Sequence, residues 1–117
     1  MTDLIACLST GKGTIGHVKR VIEGMEWGKV FLITNDSIDD SFNKKNVEKI
    51  SIDTGKTITE MSADIKKALE GKISGLEVAL NVVSGDGRDH MAVISALLGM
   101  GLGFRLVALT REGVKVI

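Results

Sequence analysis

The chain opens with a run that is apolar at every position, Leu4-Ile5-Ala6-Cys7-Leu8, and the run stops at Ser9-Thr10-Gly11. A strand with one face in water alternates in polarity. A run with no polar position and a turn at its end fits a strand covered on both faces. Val30-Phe31-Leu32-Ile33 reads the same way before Thr34-Asn35-Asp36, and Leu76 to Val83 reads as a further strand. Val47 to Ile52 alternates, as expected nearer a sheet edge, and the polar stretch 37–46 fits a short helical turn. Between the strands the period changes. Ile15, Val18, Val21, Ile22 and Met25 fall at helical spacing, with Gly24 and Gly28 as stop signals. Thr57-Ile58-Thr59-Glu60 has the spacing of a capping box, followed by a stripe of Met61, Ile65, Ala68 and Leu69 that closes near Gly71. A third helix is predicted from about His90 to Leu98, then a strand from Arg105 to Thr110. Arg111-Glu112-Gly113 fits a hairpin turn that returns Val114 to Ile117 as an antiparallel edge strand. Strands alternating with helices predict one α/β domain over residues 1–117: a Rossmann-like, doubly wound, mostly parallel sheet with a C-terminal β-hairpin.

Two loops carry most of the chemistry. Gly11-Lys12-Gly13-Thr14-Ile15-Gly16 matches G-x-G-x-x-G between a strand and a helix. Glycines there let backbone N–H groups approach a phosphate, and the helix N-terminus adds partial positive charge. Asp36 lies 20 positions beyond Gly16, where dinucleotide folds place a ribose-binding acid. Arg20 opposes that reading, because such folds favour a small apolar residue four positions after the last glycine. Ser84 to His90 repeats the design: a hydroxyl, two glycines, the cation Arg88 and a helix start, with Asp86 or Asp89 available as a plain helix cap. With the expected strand order 3-2-1-4, strands 1 and 4 are neighbours, and both loops face one crevice at the topological switch point. The alternative is that both loops are empty turns.

Composition removes other classes. Fifteen basic residues balance fifteen acidic ones, so non-specific coating of nucleic acid is not expected and any anion must be held by local geometry. One Cys among 117 residues excludes an intramolecular disulfide and a Cys-based zinc site. No run reaches the length of a membrane span, and the start lacks a secretory signal pattern, so a cytoplasmic protein without membrane contact is expected. His17 and His90 sit near presumed helix starts, where a neutral imidazole serves proton transfer, a hydrogen bond or nothing beyond a cap. Two histidines with scattered carboxylates make no metal site, and no cofactor is expected. Cys7 reads as a buried hydrophobe, Trp27 and the methionines as packing, and Lys44-Lys45 as a solvated face. Ala6 stands where a Walker A loop needs its first glycine, which disfavours an ordinary ATPase.

Met91-Ala92-Val93-Ile94-Ser95-Ala96-Leu97-Leu98 is apolar almost all the way round. A surface helix on so small a domain needs a polar outer face, so a two-fold homodimer with helix 90–98 near its interface is expected.

Taken together these residues resemble the CARF (CRISPR-associated Rossmann fold) family. In that family a hydroxyl-rich loop follows the first strand, here Ser9-Thr10-Gly11-Lys12-Gly13-Thr14. A later strand ends in Asn-x-Thr-Gly-Gly-Thr-Lys, for which the counterpart here is Asn81-Val82-Val83-Ser84-Gly85-Asp86-Gly87-Arg88. Ser84 replaces Thr, Asp86 the middle Gly, Gly87 Thr and Arg88 Lys. The resemblance implies a homodimer that binds a cyclic oligoadenylate second messenger across its cleft. Ser9, Thr10, Lys12 and Thr14 would line one wall and Ser84, Gly85 and Arg88 the other, with Lys12 and Arg88 facing phosphates. Some relatives also cleave the ring without metal, for which Lys12, Ser84, Arg88 and His90 are the candidate catalytic groups. Most relatives append an effector domain, for which 117 residues leave no room, so the resemblance implies a stand-alone sensor, a ring-cleaving off-switch, a regulatory subunit serving an effector protein in trans, or a relative with another nucleotide ligand. Four readings stand: a nucleotide sensor, a ring nuclease, an NAD(H)-binding regulatory domain using Gly11, Gly13, Gly16 and Asp36, and a structural subunit without ligand.

Overall fold

The computed structural model describes residues 1–9, 13–35, 40–42 and 44–117. Strand β1 (Asp3–Cys7) leads to helix α1 (Ile15–Glu23), then β2 (Val30–Thr34), a 3-10 turn (Asp40–Phe42) and β3 (Val47–Ser51). Helix α2 (Ile58–Leu69), β4 (Glu77–Asn81), α3 (Gly87–Gly99), β5 (Gly103–Thr110) and β6 (Gly113–Val116) complete the chain. One six-stranded sheet has the order β3-β2-β1-β4-β5-β6. Its first five strands are parallel, and β6 returns antiparallel along β5. The expected 3-2-1-4 order therefore holds, and the fold is α/β and Rossmann-like.

The continuous apolar run of β1 follows from its place at the middle of this sheet. Ile5 and Cys7 belong to a core with Met61, Ile65 and Leu69 of α2 and Ala92, Val93, Ala96 and Leu97 of α3. Leu4, Ala6 and Leu8 belong to a second core with Val18, Val21 and Ile22 of α1. Both faces are covered, so no position of the strand is free to be polar. The one acidic residue in β1 sits at its start and is buried. Asp3 accepts from the Lys29 N–H at 2.8 Å and from the Ser74 N–H at 3.2 Å, joining the entries to β1, β2 and β4.

Helix boundaries follow local capping. The Thr57 hydroxyl accepts from the Glu60 N–H and the Glu60 carboxylate accepts from the Thr57 N–H, as the sequence predicts. α3 begins at Gly87, three residues before the expected start at His90, because Asp86 and Asp89 form a reciprocal capping box. β4 is correspondingly shorter than the predicted 76–83. The hairpin turn is as expected, with Gly113 at φ +104°, a backbone conformation that favours glycine. Trp27 is buried and donates its indole N–H to the Val21 carbonyl. Among the described residues no helix is long and apolar enough to cross a membrane.

Replacing Asp3 by Ala removes the buried acceptor that the Lys29 and Ser74 N–H groups share. A loss of about 2 kcal/mol in unfolding free energy is expected, read by urea denaturation; a loss within error of zero would remove Asp3 from this role.

Candidate functional site

Because β1 lies between β2 and β4, and α1 and α3 cover opposite faces, the loops after β1 and β4 leave the sheet in opposite directions from adjacent strand ends. That is the switch point at which doubly wound sheets open a ligand crevice. The two loops are joined there by one side chain. Ser84 is fully buried, and its hydroxyl oxygen accepts from the Ser9 N–H and from the Thr14 hydroxyl, both at 2.7 Å. It donates in turn to the Ser9 carbonyl at 3.3 Å. Ser9, Thr14 and Ser84 are thus brought together. The Ser84 hydroxyl, however, faces the protein and acts as a staple between the loops.

That staple affects α1. Thr14 is its N-cap, yet the Thr14 side chain makes no capping bond, because its hydroxyl is committed to Ser84. No acidic residue lies in the first turn of α1. α3 differs: Asp86 accepts from the Asp89 N–H, and two carboxylates occupy its first turn and cap. The positive end of α3 is internally neutralised, whereas that of α1 has no acidic residue in its first turn and no side-chain cap. Gly13 at φ +73° and Gly85 at φ +93° hold backbone conformations that favour glycine. A Cβ on Gly85 would also stand 3.0 Å from an Asp89 carboxylate oxygen. At Gly16 and Gly87 a Cβ would meet nothing within 4 Å, so packing does not require glycine there. Thr10, Gly11, Lys12 and Asp36 lie outside the described residues.

Arg88 points to the neighbouring helix. Its two terminal nitrogens donate to the Thr54 carbonyl at 3.0 Å and the Lys56 carbonyl at 2.6 Å, in the loop between β3 and α2. Among the described residues Arg88 makes no ion pair, while Lys44, Lys56, Lys72 and Arg105 each do. Its partners are neutral, its charge is uncompensated, and three of its five N–H donors remain. Sequence reasoning did not reach the 53–57 loop as part of this edge; no local signal links it to a residue more than thirty positions away.

The two histidines have defined tautomers. His90 Nε2 lies 2.8 Å from the Ser84 carbonyl, an acceptor, so this nitrogen carries the proton. His17 Nε2 receives the Leu109 N–H at 3.3 Å and faces the Asn81 amide nitrogen at 3.2 Å, so it is the acceptor and the ring is neutral. Asn81 also donates to the Val107 carbonyl at 2.8 Å. The β4–β5 ladder ends at Leu80 and Leu106, and these two side chains satisfy the backbone of β5 beyond it. Partial burial holds the His17 imidazole below its ordinary value. Burial, reinforced by the Asp89 carboxylate, pushes the Cys7 thiol up to about 12, so it is an inert packing group. The Asn81 carboxamide oxygen and one Asp89 carboxylate oxygen are buried without a partner. No group of three or more metal-ligating side chains occurs among the described residues.

No protein-family model matches the chain, and no curated protein or solved structure matches it.

The His17 arrangement predicts an acid-sensitive fold. Unfolded His17 takes up a proton as the pH falls through its ordinary value of 6.5, while folded His17 resists it, so stability is lost on acidification. Urea unfolding at about pH 7.5 and about pH 5.5 should show a larger loss in wild type than in His17→Gln, which keeps an acceptor and cannot titrate. Equal losses would contradict the assignment.

Proposed function

We propose that the protein is a homodimeric, cytoplasmic nucleotide-sensing module of the CARF type, binding a cyclic oligoadenylate-type ligand in the crevice between the loops after β1 and β4. The observation that carries this reading is the junction at Ser84, which holds two glycine-bearing loops together at the switch point. Around it lie an uncapped helix start and an arginine without a carboxylate partner among the described residues. An anion fits that setting, and a neutral protein has no diffuse positive field to hold one elsewhere. Sensing ranks ahead of ring cleavage because two of the candidate catalytic groups are engaged. The Ser84 hydroxyl is buried in three hydrogen bonds and His90 Nε2 holds the Ser84 carbonyl.

The dimer follows from α3. Its buried side packs on α2 and the sheet, while Met91 and Leu98 are 61% and 63% exposed on the other side with Ile94 between them. Val83, Leu106 and Ile117 are exposed as well and line a cleft of about 240 Å³. α3 starts at the crevice, so a two-fold axis along its outer stripe brings two crevices together, for which a symmetric ring is the fitting ligand. An effector protein reading the occupied dimer in trans completes the proposal.

Thermal-shift measurements against a nucleotide panel test the ligand. Cyclic tetra-adenylate should raise the melting temperature by a few degrees, and Lys12→Ala with Arg88→Ala should weaken its binding by about tenfold or more. No shift with any nucleotide would favour a structural subunit. A shift with NAD(H) that Asp36→Ala abolishes would favour the dinucleotide reading. Labelled ring recovered intact after hours with excess protein would place the chain among sensors, and linear product would make it a nuclease.

Sedimentation at micromolar concentration tests the assembly. Wild type should run as a dimer and Leu98→Asp, which alters an exposed side chain, as a folded monomer; a monomeric wild type would refute the interface.

A further inference from the structure

Arg88 is placed by hydrogen bonds to two neutral carbonyls, those of Thr54 and Lys56. These carbonyls belong to a turn with its own internal bonds: the Asp53 carboxylate accepts from the Gly55 N–H at 2.9 Å, and the Lys56 N–H reaches the Asp53 carbonyl at 3.1 Å. Lys56 is occupied with Asp64 at 2.8 Å. The turn's other contact toward the crevice edge among the described residues is the Asn35 amide on the Thr54 hydroxyl, a long 3.4 Å. Among the described residues, the arginine therefore makes the short hydrogen bonds that tie the β3–α2 turn to the start of α3. A guanidinium bonds a phosphate more strongly than a carbonyl, because charge assists both partners and the fork matches two oxygens.

We infer that Arg88 changes partners when the crevice fills, leaving the Thr54 and Lys56 carbonyls for a ligand phosphate and so releasing the 53–57 turn as the element through which occupancy is read. This rests on the nucleotide-binding reading above and adds a regulatory consequence to it. α2 itself stays in place, since Met61, Ile65 and Leu69 are buried in the core it shares with α3. The release is thus confined to the turn and the first residues of α2. Linkage makes the coupling reciprocal: a change that loosens the tether in the empty protein while leaving the Arg88 guanidinium in place must tighten ligand binding.

Hydrogen exchange of the full chain with and without cyclic tetra-adenylate reads the release directly. Amides over 53–58 should exchange faster when the probe is bound. In Arg88→Lys, which cannot bridge both carbonyls, they should already be fast in the empty protein. Unchanged or slower exchange in wild type with the probe bound would overturn the inference while leaving the binding reading intact. Absence of any melting shift with the probe overturns both. Reciprocity supplies a readout that a merely structural role would not move. Asp53→Ala, which dismantles the turn, should bind the probe about threefold more tightly, whereas Asp53→Asn, which removes the same charge but keeps an acceptor, should tighten it less. Equal tightening in both would assign the gain to charge, and weaker binding in Asp53→Ala would contradict the tether; either result overturns the inference.

Discussion

Parallel strands that diverge at their carboxyl ends leave backbone groups with no ladder partner, and much of the chemistry at this edge follows from how those groups are satisfied. The β1–β4 register ends at Ala6 and Asn81, and just beyond it Ser84 supplies an acceptor for the Ser9 N–H and a donor for the Ser9 carbonyl. The β4–β5 register ends at Leu80 and Leu106, and there Asn81 and His17 serve the Val107 carbonyl and the Leu109 N–H. A buried backbone group without a partner costs about as much as a lost hydrogen bond, so the side chains at these forks are held in place by folding itself. The crevice is the space that the divergence opens.

The two glycine-bearing loops look alike as letters and differ as electrostatic objects. α3 carries Asp86 and Asp89 at its start, and these use its N–H groups and oppose its dipole. α1 has neither an acid nor a side-chain cap, because the Ser84 junction takes the Thr14 hydroxyl away. The second loop contributes its cation through Arg88 and its hydroxyl as a staple.

What the sequence discloses and what it hides divide along contact range. The buried strands were legible because β1 and β2 are covered on both faces, which forbids alternation, and Gly113 marked the hairpin because its φ of +104° suits glycine. The start of α3 was set three residues late because its capping box is built from two aspartates, which also read as loop residues. His17 could not be assigned from its neighbours, since its fixed partner Leu109 lies 92 positions away. Arg88 was legible as a cation at the crevice but not as a tether, because Thr54 and Lys56 approach it only through the packing of α2 on α3.

α3 joins the two halves of the functional proposal mechanically. Arg88 stands in its first turn, and the exposed Met91 and Leu98, with the partly buried Ile94 between them, run along its outer side. Ala92, Val93, Ala96 and Leu97 fix the same helix against α2 and the sheet, so its first turn and its exposed flank belong to one packed element. A shift at Arg88 is therefore transmitted to the β3–α2 turn, which is held by hydrogen bonds, more readily than along α3, which is held by core packing. In the proposed dimer this separates two tasks. The packed helices keep two crevices at a constant spacing, as a symmetric ring requires, while the tethered turns, outside the core, are free to report that it has arrived.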